Sequence, residues 1–246
     1  MKLTNTHVFV LEGPDGCGKS AVLKQLPSLL ADHLYQSGIE VEVEALQDPG
    51  GTPLSSMFRE IIMNGYVIPG QDNDIPVFRP NNGALELQQA PVVELPGPWT
   101  TFMLFRAARA CTEEYIIQKD KEAAERNIQR IVFLDRWAMS TLVYQGYQAG
   151  LLKTAPDLFL PENMQLFNPV YFLLSVSAEV LLERIKAKTN GNKFDATTLT
   201  NIKQLNDWYM QAGDKFDTYL IDTTETSVEE TLDSLFNLIL DNFNIE

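Results

Sequence analysis

The sequence predicts an α/β fold, a mainly parallel five-stranded sheet flanked by helices, with an inserted segment and a lid. Three observations carry this reading. Short apolar runs alternate with longer amphipathic ones along most of the 246 residues, which is the pattern of parallel strands joined by helical crossovers. The first run, Val8 to Leu11, passes directly into a glycine-rich loop and then into a helical stretch. Two further runs, Val132 to Leu134 and Val170 to Leu174, are short and apolar, as strands in the middle of a sheet are.

The elements follow in order. His7 to Leu11 reads as the first strand and Ser20 to Tyr35 as a helix, kinked at Pro27 and stopped at Gly38. Ile39 to Leu46 has β-branched residues at alternate positions and reads as a second strand. The turn residues 48–53 lead into an amphipathic run, Leu54 to Met63. Residues 66–99 hold six prolines and an Asn-Asn-Gly turn signal and read as an insertion, with hairpin arms at Ile75 to Arg79 and Leu85 to Glu94. Thr101 to Asn127 is helical, Arg130 to Asp135 a strand, and Ser140 to Gly146 the start of another helix. Val170 to Ser175 and Tyr219 to Asp222 complete the sheet. Helices are expected over Ala178 to Lys188, Thr197 to Phe216 and Val228 to Asn242. One domain over 1–246 is expected, because open α/β domains commonly reach this length.

Composition excludes several classes. Lys and Arg total 19 against 33 Asp and Glu, for a net charge of −14, so the chain lacks the basic field that attracts nucleic acid. The apolar runs are too short to span a bilayer, and no leader pattern precedes the first strand, so a cytoplasmic location is expected. The two cysteines, Cys17 and Cys111, form no disulfide framework. Cys17 reads as a small filler of the glycine-rich loop.

That loop is the strongest local signal. Gly13, Gly18, Lys19 and Ser20 satisfy G-x-x-x-x-G-K-S between a strand and a helix. Gly13, Gly16 and Gly18 let backbone N–H groups, including those of Asp15 and Cys17, converge on phosphate oxygens at a helix's positive end. Lys19 then serves the β- and γ-phosphates and Ser20 a Mg²⁺ ion, so ATP and Mg²⁺ are expected ligands. Asp135-Arg136 ends a core strand in opposite charges. It reads either as a surface ion pair or as site chemistry, with Asp135 holding Mg²⁺ through water and Arg136 clamping phosphate. Phe105 and Arg109 share a helix face, either as core ring and snorkelling cation or as a platform for a planar base. Arg59 stands within reach of the 48–53 loop. Arg184, Lys186, Lys188 and Lys193 surround an Asn-Gly-Asn break. They form either a solvated helix end or a lid over 186–197 that closes cations onto phosphate.

Taken together, GPDGCGKS, DPGGT at 48–52, F-x-x-x-R at 105–109, DRW with Ser140 at 135–140 and YQG at 144–146 resemble the thymidylate kinase family of phosphate-loop nucleoside-monophosphate kinases. The resemblance spans most of the chain outside 66–99. It implies a P-loop NTPase fold and ATP-dependent phosphorylation of dTMP to dTDP, commonly in a homodimer. It further implies that Asp15 organises the acceptor or the phosphate site. Arg59, Arg109 and Arg136 hold the monophosphate, and Phe105 stacks on the pyrimidine. Asp48, Ser140, Thr141 and Tyr144 line the acceptor site, with Tyr144 against the deoxyribose. Arg184 and Thr223 flank the adenine, and Lys188 and Lys193 act from the lid. Three departures stand out. The phosphate loop has no basic residue between Asp15 and Gly18, lysines replace the usual lid arginines, and Ser56 stands where a glutamate is usual. With the long insertion, these leave room for another deoxynucleotide acceptor (dUMP, a hydroxymethylated pyrimidine or dGMP), for a virus-encoded kinase acting in a host cytoplasm, or for a nucleotide-binding switch that has lost transfer.

Overall fold

A parallel sheet of five strands organises the computed structural model, which describes residues 2–64, 75–81, 84–90, 96–188 and 196–242, with backbone alone at 64, 75–81, 84–90, 188 and 196–199. The strands are β1 (Thr6–Glu12), β2 (Val41–Gln47), β5 (Gln129–Asp135), β6 (Val170–Ser175) and β7 (Tyr219–Asp222), in the order β2-β5-β1-β6-β7. β1 is central. It pairs Leu11 with Asp135 of β5 on one side and Leu11 with Phe172 of β6 on the other. The carboxyl ends of these strands share one rim of the sheet, where an open parallel sheet binds ligands.

Alternation along each strand assigns side chains to two cores. Phe9, Leu11, Ile131, Phe133, Phe172 and Leu174 face one side, where they meet Val22, Leu26 and Leu30 from α1 (Lys19–Leu23) and α2 (Leu26–Gln36), and Leu235 and Ile239 from α9 (Val228–Asn242). Phe9 stacks between Phe133 and Phe172 at centroid distances of 5.8 and 6.0 Å. Val8, Val10, Val132, Leu134 and Leu173 face the other side, packing on Phe102 and Ile116 of α4 (Pro98–Arg126) and on Tyr209 and Ala212 of α8 (Ala196–Phe216). Each fully buried Leu or Phe contributes about 1.5–3 kcal/mol relative to exposure. β2 is an edge strand. Its Glu42 and Glu44 pair with the buried Arg130 of β5, which keeps charge on a potentially sticky edge.

The structure corrects two element expectations. The helix expected over Ser20 to Tyr35 is two helices, α1 and α2, parted at Lys24-Gln25. Pro27 has no N–H to give and its ring would strike the carbonyl of Leu23, so the chain breaks and restarts with proline in the first turn of α2. The helix expected from Ser140 opens as a short α5 (Ala138–Thr141) and continues as a wider π-helical turn, Leu142–Gln148. Gly146 in that turn lies against Leu142 and Phe159; a Cβ there would sit 3.0–3.1 Å from their side chains.

Short turns at Leu151–Lys153 and Pro156–Phe159 and α6 (Pro161–Met164) then lead to β6. α3 (Pro53–Asn64) follows the DPGGT loop, and α7 (Ala178–Lys188) follows β6. In the expected insertion, β3 (Ile75–Asn81) and β4 (Ala84–Ala90) form an antiparallel pair, with Phe78 opposite Leu87. β4 covers the expected second arm as far as Ala90; its remainder, to Glu94, lies outside the described residues.

Candidate active site

The glycine-rich loop leaves the end of β1 in left-handed backbone, with φ +134° at Gly13, +96° at Gly16 and +111° at Gly18. Gly13 is also pressed on its neighbour. A Cβ there would fall 2.4 Å from the Leu174 carbonyl oxygen, a distance no side chain tolerates. Lys19 is buried at the start of α1 and its Nζ donates to the carbonyls of Gly13 (2.7 Å) and Pro14 (3.0 Å). Ser20 is exposed beside it. Cys17 is fully buried among apolar residues, in keeping with a filler role, with Lys19 Nζ 3.6 Å from its sulfur.

The loop is tied to the end of β7 through Thr223. Thr223 Oγ1 lies within hydrogen-bond reach of the carbonyls of Cys17 (3.0 Å) and Ser175 (2.9 Å), and Arg184 Nη2 donates to the Thr223 carbonyl (2.6 Å). Arg184 and Thr223, separated by 39 positions, are thus brought together beside the phosphate loop.

Arg136 closes the other flank. It follows β5 with φ +69°, unusual for a residue with a side chain. Nη1 faces Gly13 O (3.1 Å), Ser140 Oγ (3.1 Å) and Tyr209 OH (2.6 Å), Nη2 donates to Asp15 Oδ1 (2.5 Å), and the guanidinium lies 5.6 Å from the Tyr144 ring centroid. Burial acts against the charge on Arg136, but the surrounding oxygens of Tyr209, Tyr144, Asp15 and Glu12 outweigh it and push its pKa up. Arg136 therefore stays cationic.

The DPGGT loop forms the next wall. Asp48 donates its N–H to the Asp135 carbonyl (3.0 Å) and begins a cis Asp48–Pro49 peptide. Its carboxylate is buried against Arg109, whose Nε and Nη2 donate to Oδ2 at 3.1 and 2.8 Å. Arg109 Nη2 also donates to Thr141 Oγ1 (2.8 Å), and the guanidinium lies 5.1 Å from the Trp137 ring centroid. Arg109 is 1% exposed. It is a built-in ion pair and not a snorkelling cation. Burial raises the pKa of Asp48, and the charge of Arg109 opposes that rise.

Further along, Thr52 Oγ1 accepts from Ser55 N at the start of α3, a side-chain cap. Ser55 and Ser56 hold Gly50 by its N–H and its carbonyl, both at 2.9 Å. Arg59 reaches back to the Pro49 carbonyl (3.0 Å), as its position suggested. Phe105 is half-buried on α4, one turn before Arg109. Asp135 is half-buried, with Oδ1 lacking a protein partner.

The sequence reading missed Glu12 and Tyr209. Glu12 is fully buried and accepts from Trp137 N (2.7 Å), Ser140 N (3.1 Å) and Ser140 Oγ (2.6 Å). Burial raises its pKa, while Arg136 and these hydrogen bonds work in the other direction. Its signal was present: like Asp135, it is a charge ending an apolar strand. Tyr209 carries no such local mark. Lys193 lies outside the described residues, as does the side chain of Lys188.

A continuous polar track therefore runs from Arg109 through Thr141, Ser140 and Arg136 to Gly13 and Lys19. Among the described residues no cluster of three or more His, Cys, Asp or Glu is placed to hold a metal. A hydroxyl at Ser20 and a carboxylate at Asp135 are the oxygen donors expected for Mg²⁺, which keeps most of its shell as water and phosphate. No helix among the described residues is long and apolar enough to cross a membrane.

The chain is similar to known thymidylate kinases. The family model described as thymidylate kinase matches residues 96–235. The thymidylate kinase of Chlamydia abortus is 28% identical over 231 residues, covering 92% of each chain. That of Synechococcus sp. (strain CC9311) is 33% identical over 148 residues, 59% of this chain and about half (54%) of that protein's length. The crystal structure of thymidylate kinase from Ehrlichia chaffeensis superposes with a TM-score of 0.59 at 17% identity, covering 96% of this chain and all of that one. At that identity the likeness speaks for the fold.

Proposed function

The chain belongs to the thymidylate kinase family, a family of nucleoside-monophosphate kinases, and on that premise we propose that it transfers the γ-phosphoryl group of ATP to dTMP, giving ADP and dTDP. One observation supports this most. Arg136 links the phosphate loop, through Gly13 O and Asp15, to the Ser140–Thr141–Arg109 wall where an acceptor would lie. The two halves of a two-substrate site are joined by one guanidinium.

An oxygen of the acceptor phosphate attacks the γ-phosphorus in line as the bond to the β,γ-bridging oxygen breaks. The attacking oxygen is already ionised, so no strong base is needed and catalysis is placement and charge neutralisation. The loop amides and Lys19 receive the polyphosphate. Arg136 spans both phosphates, with Asp15 steadying its exposed edge. Arg59 and Arg109 present the acceptor, Phe105 covers its base, and Ser140, Thr141, Asp48 and Tyr144 shape the pocket. Arg184 and Thr223 border the adenine side. Ser20 and Asp135 would hold Mg²⁺, which would supply charge neutralisation to the polyphosphate. On sequence grounds Lys188 and Lys193 act from a lid at 186–197, within one domain carrying the 66–99 insertion.

A homodimer is part of this reading. Leu54, Met57 and Met63 of α3 and Trp99 and Met103 of α4 are exposed on two helices packed together, and an apolar surface of that kind suits a second copy. Light scattering at micromolar concentration should give twice the monomer mass. A cytoplasmic location, expected from the sequence, belongs to the same reading.

The deciding experiment is coupled ADP release with ATP and a panel of dTMP, dUMP, dGMP and a hydroxymethylated pyrimidine monophosphate. dTMP should give the highest kcat/KM. A better acceptor in the panel would replace dTMP in the proposal, and ADP release indifferent to any acceptor would overturn it.

A further inference from the structure

Tyr209 lies on α8, 73 positions from Arg136, and is 1% exposed with its ring edge-on to Tyr144. Its hydroxyl receives the shortest hydrogen bond that Arg136 Nη1 makes, 2.6 Å against 3.1 Å to Gly13 O and Ser140 Oγ. The hydroxyl also lies 3.1 Å from Ser140 Oγ, and Ser140 Oγ donates to Glu12 Oε2 at 2.6 Å.

With Glu12 as a carboxylate, counting protons gives this chain a direction. Glu12 is used as an acceptor at both oxygens, by two amides and the Ser140 hydroxyl. Ser140 has one hydroxyl proton, which goes to Glu12, so its oxygen only accepts from Tyr209 and Arg136. Tyr209 accepts from Arg136, and with the Ser140 proton on Glu12 the Tyr209 proton is the one available to the Ser140 oxygen, the Tyr144 side chain being a further hydrogen-bond neighbour of Tyr209. Burial holds the Tyr209 phenol well above its ordinary pKa, so that proton is retained. The relay runs Arg136 to Tyr209 to Ser140 to Glu12, and every hydroxyl in it is satisfied.

The other anchor of Arg136 is weaker. Asp15 is 90% exposed, and ion pairs in solvent contribute little. The buried end of the guanidinium therefore sets its plane.

We propose that Tyr209 is a positioning residue for phosphoryl transfer, orienting Arg136 through a one-way hydrogen-bond relay that ends on the buried carboxylate of Glu12. The inference rests on the reading of Arg136 as the group that spans both phosphates.

Tyr209→Phe removes one oxygen and keeps the ring. It should lower kcat by about 10–100-fold, as misplacement of a charge-stabilising group does, with the KM for ATP within about twofold. A double-mutant cycle with Arg136→Lys separates positioning from general structure. If Tyr209 acts through Arg136, adding Tyr209→Phe to Arg136→Lys should cost less than about threefold more. Losses that multiply would overturn the proposal. Ser140→Ala, which cuts the relay one link further on, serves in place of Tyr209→Phe if that variant does not fold.

Wild-type turnover with the monophosphate panel is measured first, and its absence counts against the kinase reading alone. The orientation is then read independently of activity, from the ¹⁵N resonances of the Arg136 guanidinium. Slow Nη rotation in the wild type and averaged signals in Tyr209→Phe support the relay; identical behaviour in both overturns it.

Discussion

Removing Arg109 should damage the fold as well as the acceptor site, and the structure sets the size of the effect. Arg109 donates to Asp48 through Nε and Nη2 and to Thr141 through Nη2, with both partners of the ion pair at 1–2% side-chain exposure. Arg109→Met keeps much of the volume but leaves Asp48 as a buried charge without its cation. Breaking a buried pair from one side costs about 3–5 kcal/mol. In a chain of this length each kcal/mol moves Tm by about 2–4 °C, so the expected fall is roughly 6–20 °C.

The pH dependence has a definite sign. Burial already raises the Asp48 pKa above its ordinary 3.8, and loss of Arg109 removes the chief opposing influence. A native state with a raised carboxylate pKa binds more protons than the unfolded chain between the two values, so stability falls as pH rises through that window. The deficit of Arg109→Met should accordingly shrink on acidification toward pH 5 and widen at pH 8. Asp48→Asn restores neutrality, and the double variant should lose far less than the sum of the two singles. Differential scanning calorimetry at several pH values tests all of this. Single variants that melt within 1–2 °C of wild type (under about 1 kcal/mol), or deficits that simply add, would refute the buried-pair argument.

Other perturbations have equally specific outcomes. Lys19→Ala should lower turnover by about 10²–10³-fold with every acceptor in the panel, because the lost charge acts on the polyphosphate and not on the base. An effect confined to one acceptor would contradict that role. Gly13→Ala places a Cβ 2.4 Å from the Leu174 carbonyl oxygen at φ +134° and should cost about 3 kcal/mol or more in urea unfolding; a silent substitution would mean the loop is not held as described. Asp120 accepts from Thr4 N and Asn5 N, and these bonds bring its pKa below 3.8 although burial, the largest single influence, pushes the other way. Asp120→Ala should therefore cost about 2 kcal/mol at neutral pH. In the wild type that contribution is present above the ordinary carboxylate value of 3.8 and fades as pH falls through the lowered value, so the two proteins should converge in stability only below that lowered value.

Recognition by sequence worked where the chemistry is contiguous. The phosphate loop, DPGGT and DRW each place their residues on a single turn, so spacing alone positions them, and all three stand together at one rim of the sheet. Pro27 shows a local signal given too little weight: it ends one helix and starts another, since both its missing N–H and its ring act on the preceding turn. The π-helical turn at Leu142–Gln148 had no readable sign in the residue pattern; within it Gly146 packs closely on Leu142 and Phe159. Arg109 was half legible. Its place on a helix face with Phe105 was evident, whereas its role as a buried ion-pair partner of a residue 61 positions away was not.

By itself, then, the chain's order of residues determined the strand count, the phosphate loop and the family to which it belongs, because backbone propensity and short-range spacing survive in one dimension. Tertiary structure decided which polar groups are buried together: Glu12 beneath Ser140, Asp48 against Arg109, Tyr209 against Arg136. Those choices depend on which side chains lose water at the same place. Desolvation makes each hydrogen bond obligatory, and no spacing rule joins residues that meet only after the sheet has brought its strand ends and α8 together.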